Sequence, residues 1–423
     1  MLPLFYHSTI QISFQRSPPQ ESPLSSSNKR RQQVLVHSFN TKFDFTEFEN
    51  ESKLATIVSI FYSSSMMSFN LRNRSCGIRT FARVVSKVSL ASMSSTIKKP
   101  VPLSSTYDGI VCDMDGVLWR GQEEIPRSID ALNVLKVRGK SVVFVTNNSS
   151  TTRLAVSKRL LSLGYDAKPS DIITSSSVTA DYLKNKLSNN DVSDIGDVQK
   201  SQIKVFMIGN PALREELEAS DFQVLSVPDT EPANLEQEEF TQLQKFLDAD
   251  IRAVVVGVDS SFTFRKLSIS GLYLLNERCL FVATNPDNGN RISDGGMHPE
   301  TGSLAAAVQS LSGIKPTICG KPSHIIVDYV MKQLQNSNPD RLLMVGDRLD
   351  TDIAFANAAR FHSCLVFSGV TSEGEAEGKS NSLDRSQTPS YLAQDLWDMV
   401  SPVSEEELKM LDVIKSKQKS LLH

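Results

Sequence analysis

The chain has 423 residues, 40% of them hydrophobic and 22% charged, with a formal net charge of -3. That length predicts two to three domains and enough apolar material to pack ordinary cores. Charge is unevenly spread, 13 Lys/Arg against 5 Asp/Glu in residues 1–105 and 32 against 43 in the remainder, and the acidic body excludes broad nucleic-acid binding, which needs a clustered basic face.

Residues 1–105 have their own texture, rich in Ser and in turn formers around Pro18-Pro19 and Ser25-Ser26-Ser27. From Met66 to Thr106 there are seven Lys/Arg and no Asp/Glu. Arg-rich, Ser-rich and acid-free is the composition of an organelle transit peptide, so we expect a disordered leader addressed to a chloroplast or mitochondrion. An unaddressed leader, or a reading frame opened ahead of Met66 or Met93, would leave the protein cytoplasmic. The five cysteines (Cys76, Cys112, Cys279, Cys319 and Cys364) are odd in number and lack CxxC or zinc spacing; they read as small buried hydrophobes in a reducing compartment. No run of 18 apolar residues occurs, so no membrane span is expected.

From Tyr107 apolar strands alternate with amphipathic helices. Gly109–Cys112 is a short strand; Ser128 to Val137 carries Ile129, Leu132 and Leu135 at helical spacing; Ser141–Val145 is a β-branched strand; Leu154 to Leu163 is a helix closed by Gly164. Such alternation predicts βαβ units and a buried parallel sheet. The polar run Ser188-Asn189-Asn190-Asp191 marks a boundary near residue 189. The rhythm then resumes with Lys204–Ile208 (strand), Ala212–Ala219 and Glu236–Leu247 (helices), Ala253–Val256 (strand), Arg265–Leu275 (helix) and Leu280–Ala283 (strand). A Gly/Asn/Asp/Pro-dense loop, Asn285 to Gly302, precedes a helix at Ser303–Leu311 and strands at Thr317–Cys319 and Leu342–Val345. The expected organisation is an α/β protein: a leader (1–105), a Rossmann-like core in two parts (106–188 and 316–400), an inserted α/β cap (189–315) and a tail (401–423).

Three core strands end in chemically loaded residues: Asp113 and Asp115, Thr146-Asn147-Asn148, and Asp347. In an open parallel sheet the carboxyl ends of the strands form the binding crevice, so these groups converge, and Lys321 adds a cation. Carboxylates one residue apart repel unless a cation or chemistry relieves them. Attack of an aspartate on an anionic phosphate ester suits the set, with Mg2+ on the carboxylates, Lys321 as a fixed positive charge and Thr146 and Asn147 on the phosphate oxygens.

At these residues the chain resembles a known family. DMDGVLW (113–119), VTNNSS (145–150), CGKPS (319–323) and VGDRLDTDIAFA (345–356) look like the four ordered motifs of the haloacid dehalogenase superfamily. Closer still is the similarity to eukaryotic phosphoglycolate phosphatases and their 4-nitrophenylphosphatase and pyridoxal-phosphate phosphatase relatives. The resemblance implies a core with a C2-type cap, Asp113 as nucleophile and Asp115 as general acid/base. It places Mg2+ on the Asp113 carboxylate, the Asp115 backbone carbonyl and Asp347, and phosphate against Thr146, Asn147, Asn148 and Lys321, with Asp352 orienting the site. It also implies a small-molecule phosphate ester as substrate, 2-phosphoglycolate first and pyridoxal-phosphate, glycerol-phosphate or nucleotide-monophosphate esters next; a homodimer through the cap is an arrangement it allows. A catalytically silent phosphate-binding scaffold would be expected to lose one of the paired aspartates. Asp287 and Arg291, in the cap loop, are candidates for contacting the leaving group. Trp119 reads as packing beside the site, and His298 and His324 as incidental. One departure stands out: the family often shows Pro-Gly-x-Gly-Ser before the helix returning from the cap, and here Pro299-Glu300-Thr301-Gly302-Ser303 occupies that place.

Overall fold

The computed structural model describes residues 9–13, 34–38, 41–45, 68–70, 106–188, 203–291, 296–334, 338–380 and 385–421. The chain divides into two compact units, residues 1–96 and 97–423. In the first, strands β1 (Thr9–Ser13), β2 (Val34–Ser38), β3 (Thr41–Phe45) and β4 (Ser68–Asn70) form one small sheet in the order β3-β2-β1-β4. The rest of the expected leader, and the boundary at residue 189, lie outside the described residues.

In the second unit, β5 (Gly109–Cys112) is followed by a two-residue ribbon, β6 (Trp119–Arg120) with β7 (Glu123–Glu124), then by β8 (Ser141–Thr146) and β9 (Ile172–Thr174). The cap contributes β10 (Lys204–Ile208), β11 (Gln223–Leu225), β12 (Ile251–Val256), β13 (Leu280–Ala283), the ribbon β14 (Gly289–Arg291) with β15 (Met297–Pro299), and β16 (Thr317–Ile318). The last strands are β17 (Leu342–Gly346), β18 (His362–Val366) and β19 (Tyr391–Ala393), with helices Leu396–Val400 and Glu405–Leu421 after them. The core sheet is parallel throughout, in the order β19-β18-β17-β5-β8-β9. From β5 the chain moves outward to β9, leaves for the cap, and returns on the other flank of β5. The strand order therefore reverses between β5 and β17, where crevices open in such sheets. In that register Cys112 pairs with Val345, and the Asp113 N–H donates to the Val345 carbonyl at 2.9 Å.

Residues of successive strand positions go to opposite faces. Ile110, Cys112, Phe144, Leu343 and Val345 pack with Leu132, Leu135 and Leu160 on one face. Val111, Val145, Ile173, Leu342 and Met344 pack with Val178, Leu183, Ile326 and Phe355 on the other. That second cluster continues into the cap through Val205, Met207, Ala253 and Val282. The cap has a five-stranded parallel sheet, β11-β10-β12-β13-β16. Its far face, with Phe206, Ile208, Val254 and Phe281, is covered by Ile269, Leu304 and Val308. The strand at Thr317–Ile318 pairs with β13, so it belongs to the cap sheet, and the core resumes after it. The predicted loop from Asn285 to Gly302 contains the β14–β15 ribbon. No helix among the described residues is long and apolar enough to cross a membrane.

Candidate active site

Four chain segments deliver the site. Asp113 leaves β5 and is buried, 6% exposed, whereas Asp115, two residues on, is exposed. Between them the chain turns tightly, with the Leu118 N–H on the Met114 carbonyl and the Gly116 N–H on the Trp119 carbonyl, both at 2.8 Å. Gly116 adopts φ 85° and, like Gly369 opposite, sits where a β-carbon would collide with the Asp347 carboxylate. The two loops close on that carboxylate because neither carries a side chain there.

Lys321 is the centre of the charge arrangement. Its ammonium donates to Asp113 Oδ1 at 2.7 Å, to Asp352 Oδ1 at 2.7 Å and to the Val145 carbonyl at 2.9 Å, and its side chain is 2% exposed. An ammonium has three donors, so all three are in use. Burial alone would lower its pKa, but the Asp113 and Asp352 charges outweigh burial and hold it above its ordinary range. Asp352 spends both oxygens inside the protein, since Oδ2 accepts from the main-chain N–H groups of Asp347 (3.2 Å) and Arg348 (3.0 Å). It sits in a single π-turn, Leu349–Ile353, a local widening common at functional sites, and that turn faces its carboxylate back onto the β17 loop.

Asn147 couples cap to core. Its Oδ1 accepts from the Lys321 N–H at 2.7 Å, its Nδ2 donates to Asp287 Oδ2 and the Lys321 carbonyl, each at 3.1 Å, and its carbonyl accepts from Ser175 Oγ and Asn285 Nδ2. The side chain expected on phosphate thus holds three loops together. Thr146 Oγ1 accepts from the Asn148 N–H at 3.0 Å, and Asn148 Nδ2 reaches Asp115 Oδ2 at 3.5 Å.

Carboxylate oxygens of Asp113, Asp347 and Asp352 lie within 4.8 Å of one another, all buried, against one lysine. Burial, then the Asp352 charge, pushes Asp347 up to about 7; burial also drives Asp113 well above its usual range, with Asp352, Asp347 and Asp115 adding to it. An all-oxygen donor set with excess negative charge fits a hard divalent cation. Asp352 being engaged, Asp113 and Asp347 are the carboxylates placed to hold it.

Several contributors were not legible in the sequence. The Val370 N–H donates to Asp347 Oδ2 at 2.6 Å, and Ser368 Oγ donates to the Gly116 carbonyl at 2.7 Å. This loop carries no motif beyond the glycine in its middle. Arg348 lies 3.9 Å from Asp287 and pairs with Asp350 at 2.9 Å, which ties the β17 loop to the cap. Asp287 faces Asn147 and Arg348, and burial raises its carboxyl against their pull. Glu300 donates its N–H to the Asn288 carbonyl at 3.2 Å; burial raises its carboxyl, and the Asp287 and Asp115 charges add to that. The Arg291 side chain lies outside the described residues.

Residues 110–223 match the model of the haloacid dehalogenase-like hydrolases, and residues 318–399 a second, HAD-hydrolase-like model. Glycerol-3-phosphate phosphatase of Homo sapiens is 34% identical over 70% of this chain and 91% of that protein. Chloroplastic phosphoglycolate phosphatase 1A of Arabidopsis thaliana is 33% identical over 71% of this chain and 78% of that protein. Among solved structures, the p-nitrophenyl phosphatase of Archaeoglobus fulgidus superposes with a TM-score of 0.57 at 26% identity, covering 70% of this chain and all of that one. A glycerol phosphate phosphatase of Mycobacterium tuberculosis in complex with calcium gives 0.54 at 25% identity, over 71% and 76%.

The raised carboxyls set a pH dependence. Folded, metal-free Asp347 keeps its proton up to about 7, whereas an unfolded Asp loses it near about 4. The folded state then binds more protons across that window, so metal-free stability falls as pH rises through it. A cation must displace those protons, so its affinity should climb up to about pH 7 and level off above it. Thermal melting of EDTA-treated protein and calorimetric Mg2+ titration between pH 5 and 8 check this; affinity flat between 5 and 7 would refute it.

Proposed function

As this chain belongs to the haloacid dehalogenase-like hydrolases and is a phosphoric monoester hydrolase, we propose that Asp113 is its nucleophile and Asp115 its general acid and base. The observation carrying this is the contrast between the two: Asp113 is dry and oriented by Lys321, while Asp115 stands exposed where an alcohol leaves and water enters. An oxygen of Asp113 attacks phosphorus, the bond to the alkoxy oxygen breaks, and that oxygen takes the proton of Asp115. Water then attacks the phosphoaspartate, giving its proton to the Asp115 carboxylate, and the acyl-phosphate bond breaks to free phosphate and Asp113. Thr146 and Asn148 meet the phosphate oxygens, Asn147 supports them by holding the loops, and Lys321 acts as a fixed positive charge. Mg2+, held by Asp113, Asp347 and the Asp115 carbonyl, would neutralise the phosphate as Asp113 approaches it.

Asp113→Asn should abolish phosphate release, because an amide is a poor nucleophile. Asp115→Asn should slow turnover by about 10²–10⁴-fold while sparing phosphate binding. EDTA should stop the reaction and Mg2+ restore it. Near-normal turnover in either variant, measured by phosphate release, would sink the assignment.

The substrate we propose is 2-phosphoglycolate, hydrolysed to glycolate and phosphate. Two chloroplastic phosphoglycolate phosphatases are among the relatives, and the basic, acid-free stretch from Met66 to Thr106 suits the same address. If so, a fluorescent fusion of residues 1–105 enters chloroplasts; diffuse cytosolic signal would refute targeting. A second reading, an uncharged polyol ester such as glycerol phosphate, is favoured by one observation. Glu300 stands where the family often has glycine, and its carboxyl senses Asp287 and Asp115. Acidic groups beside the leaving group repel a carboxylated alcohol. A panel of phosphoglycolate, glycerol 3-phosphate, pyridoxal phosphate and nucleotide monophosphates, compared by kcat/KM, decides between them. Glu300→Gly should raise kcat/KM for phosphoglycolate relative to glycerol phosphate, by about tenfold if one contact discriminates; an unchanged ratio would remove Glu300 from selection.

A further inference from the structure

Trp119 does more than pack. Its indole ring is 3% exposed within the core cluster, yet its Nε1–H donates to Asp115 Oδ1 at 3.0 Å. Asp115 itself is exposed, and a carboxylate open to water samples several rotamers unless something holds it. The other side of the indole is covered in turn, with the Arg159 guanidinium carbon 4.0 Å from the ring centroid. A guanidinium at that distance over an indole face is attracted by the ring quadrupole. Arg159 is anchored as well, since Nη2 donates to the Gly121 carbonyl at 2.6 Å. Guanidinium, indole and carboxylate therefore form one chain of contacts, from the helix Arg153–Leu163 over the ring face and through its N–H edge to Asp115.

We infer that Trp119 is a positioning residue for proton transfer, using its indole N–H to fix Asp115 so that Oδ2 carries the proton, with Arg159 as the clamp on the ring. The inference rests on the general acid/base reading of Asp115. The geometry divides the carboxylate: Oδ1 is taken by the indole, and Oδ2 faces Asn148 Nδ2 at 3.5 Å, on the side of the β8 loop. In the first step the proton on Oδ2 goes to the alkoxy oxygen as its bond to phosphorus breaks and the Asp113 oxygen–phosphorus bond forms. In the second step Oδ2 receives a proton from water as the water oxygen bonds to phosphorus and the phosphoaspartate bond breaks. A carboxylate free to turn would be misplaced for both transfers.

The consequence depends on the leaving group. An alkoxide from glycerol 3-phosphate cannot depart without its proton, whereas 4-nitrophenolate is stable as an anion and needs little help. Losing the positioning should therefore harm alkyl esters selectively, which a loss of packing would not. The test compares kcat/KM and kcat for the better alkyl ester of the substrate panel, 2-phosphoglycolate or glycerol 3-phosphate, with those for 4-nitrophenyl phosphate in Trp119→Phe, which keeps a ring and loses the N–H. We expect kcat/KM, which reports formation of the phosphoaspartate, to fall about tenfold or more on the alkyl ester and far less on the nitrophenyl ester, while slower hydrolysis of the phosphoaspartate, common to both esters, lowers kcat alone. Arg159→Met, which leaves the indole in place, should show a weaker loss with the same leaving-group bias and serves if Trp119→Phe melts early. An equal loss of kcat/KM on both esters, or no loss on either, would overturn the inference. Asp115→Asn, run alongside, separates the two levels: if it retains full activity the acid/base reading itself fails, and if it is inactive while Trp119→Phe shows no bias, only the role of Trp119 does.

Discussion

The ammonium of Lys321 is the interaction on which the rest of the site depends. Removing a lysine from water is costly unless it is paired and fully hydrogen-bonded. Here the three acceptors come from three separate segments: Asp113 after β5, the Val145 carbonyl of β8, and Asp352 in the turn after β17. Lys321 itself follows β16, at the edge of the cap sheet. One buried cation thus fixes the mutual placement of four chain segments separated by up to 239 positions of sequence, and taking it away would leave carboxylates buried and uncompensated.

The parallel sheet explains why those segments can meet at all. Reversal of strand order between β5 and β17 brings Asp113 beside Asp347, and the tight turns at Gly116 and Gly369 let both loops press against the Asp347 carboxylate. The charge that accumulates is more than one lysine can balance, and burial, with the neighbouring acids adding to it, holds the carboxyls of Asp113 and Asp347 above their ordinary range. A fold that crowds acids this way is poised for a cation and for an anionic substrate that shares it.

Core and cap each carry part of the polar network. Core residues hold the Lys321 network, while Asp287 and Glu300 are borne on the cap, Asp287 bonded to Asn147. Asn147 is where the two meet, since its amide and carbonyl bond to Asp287, Asn285 and Lys321 at once. One side chain therefore links the cap loop at Asp287 to the main chain of Lys321.

Much of the fold was legible from periodicity. The helix at Ser128–Val137 and the strands at Ser141–Thr146, Lys204–Ile208 and Leu280–Ala283 follow the apolar pattern closely, because the local period decides which face can be buried. The helices Ser175–Ser188 and His324–Gln333 were not singled out; the first opens on a run of serines, whose buried hydroxyls bond to Asn147 and Ser149 carbonyls that only the folded chain supplies. Pairing of Thr317–Ile318 with the cap was equally invisible, since two residues carry no signal of which sheet they join. Of the site, the sequence by itself determined the residue types and their order: Asp113, Asp115, Thr146, Lys321, Asp347 and Asp352 can be picked out at strand ends before any geometry is known. Tertiary structure alone decided their division of labour. It turned Asn147 into a brace, occupied every donor of Lys321, and laid the Trp119 indole against Asp115. Hydrogen bonding is directional and short-ranged, so which donor meets which acceptor is settled only when segments far apart in the chain are packed to within about 3 Å.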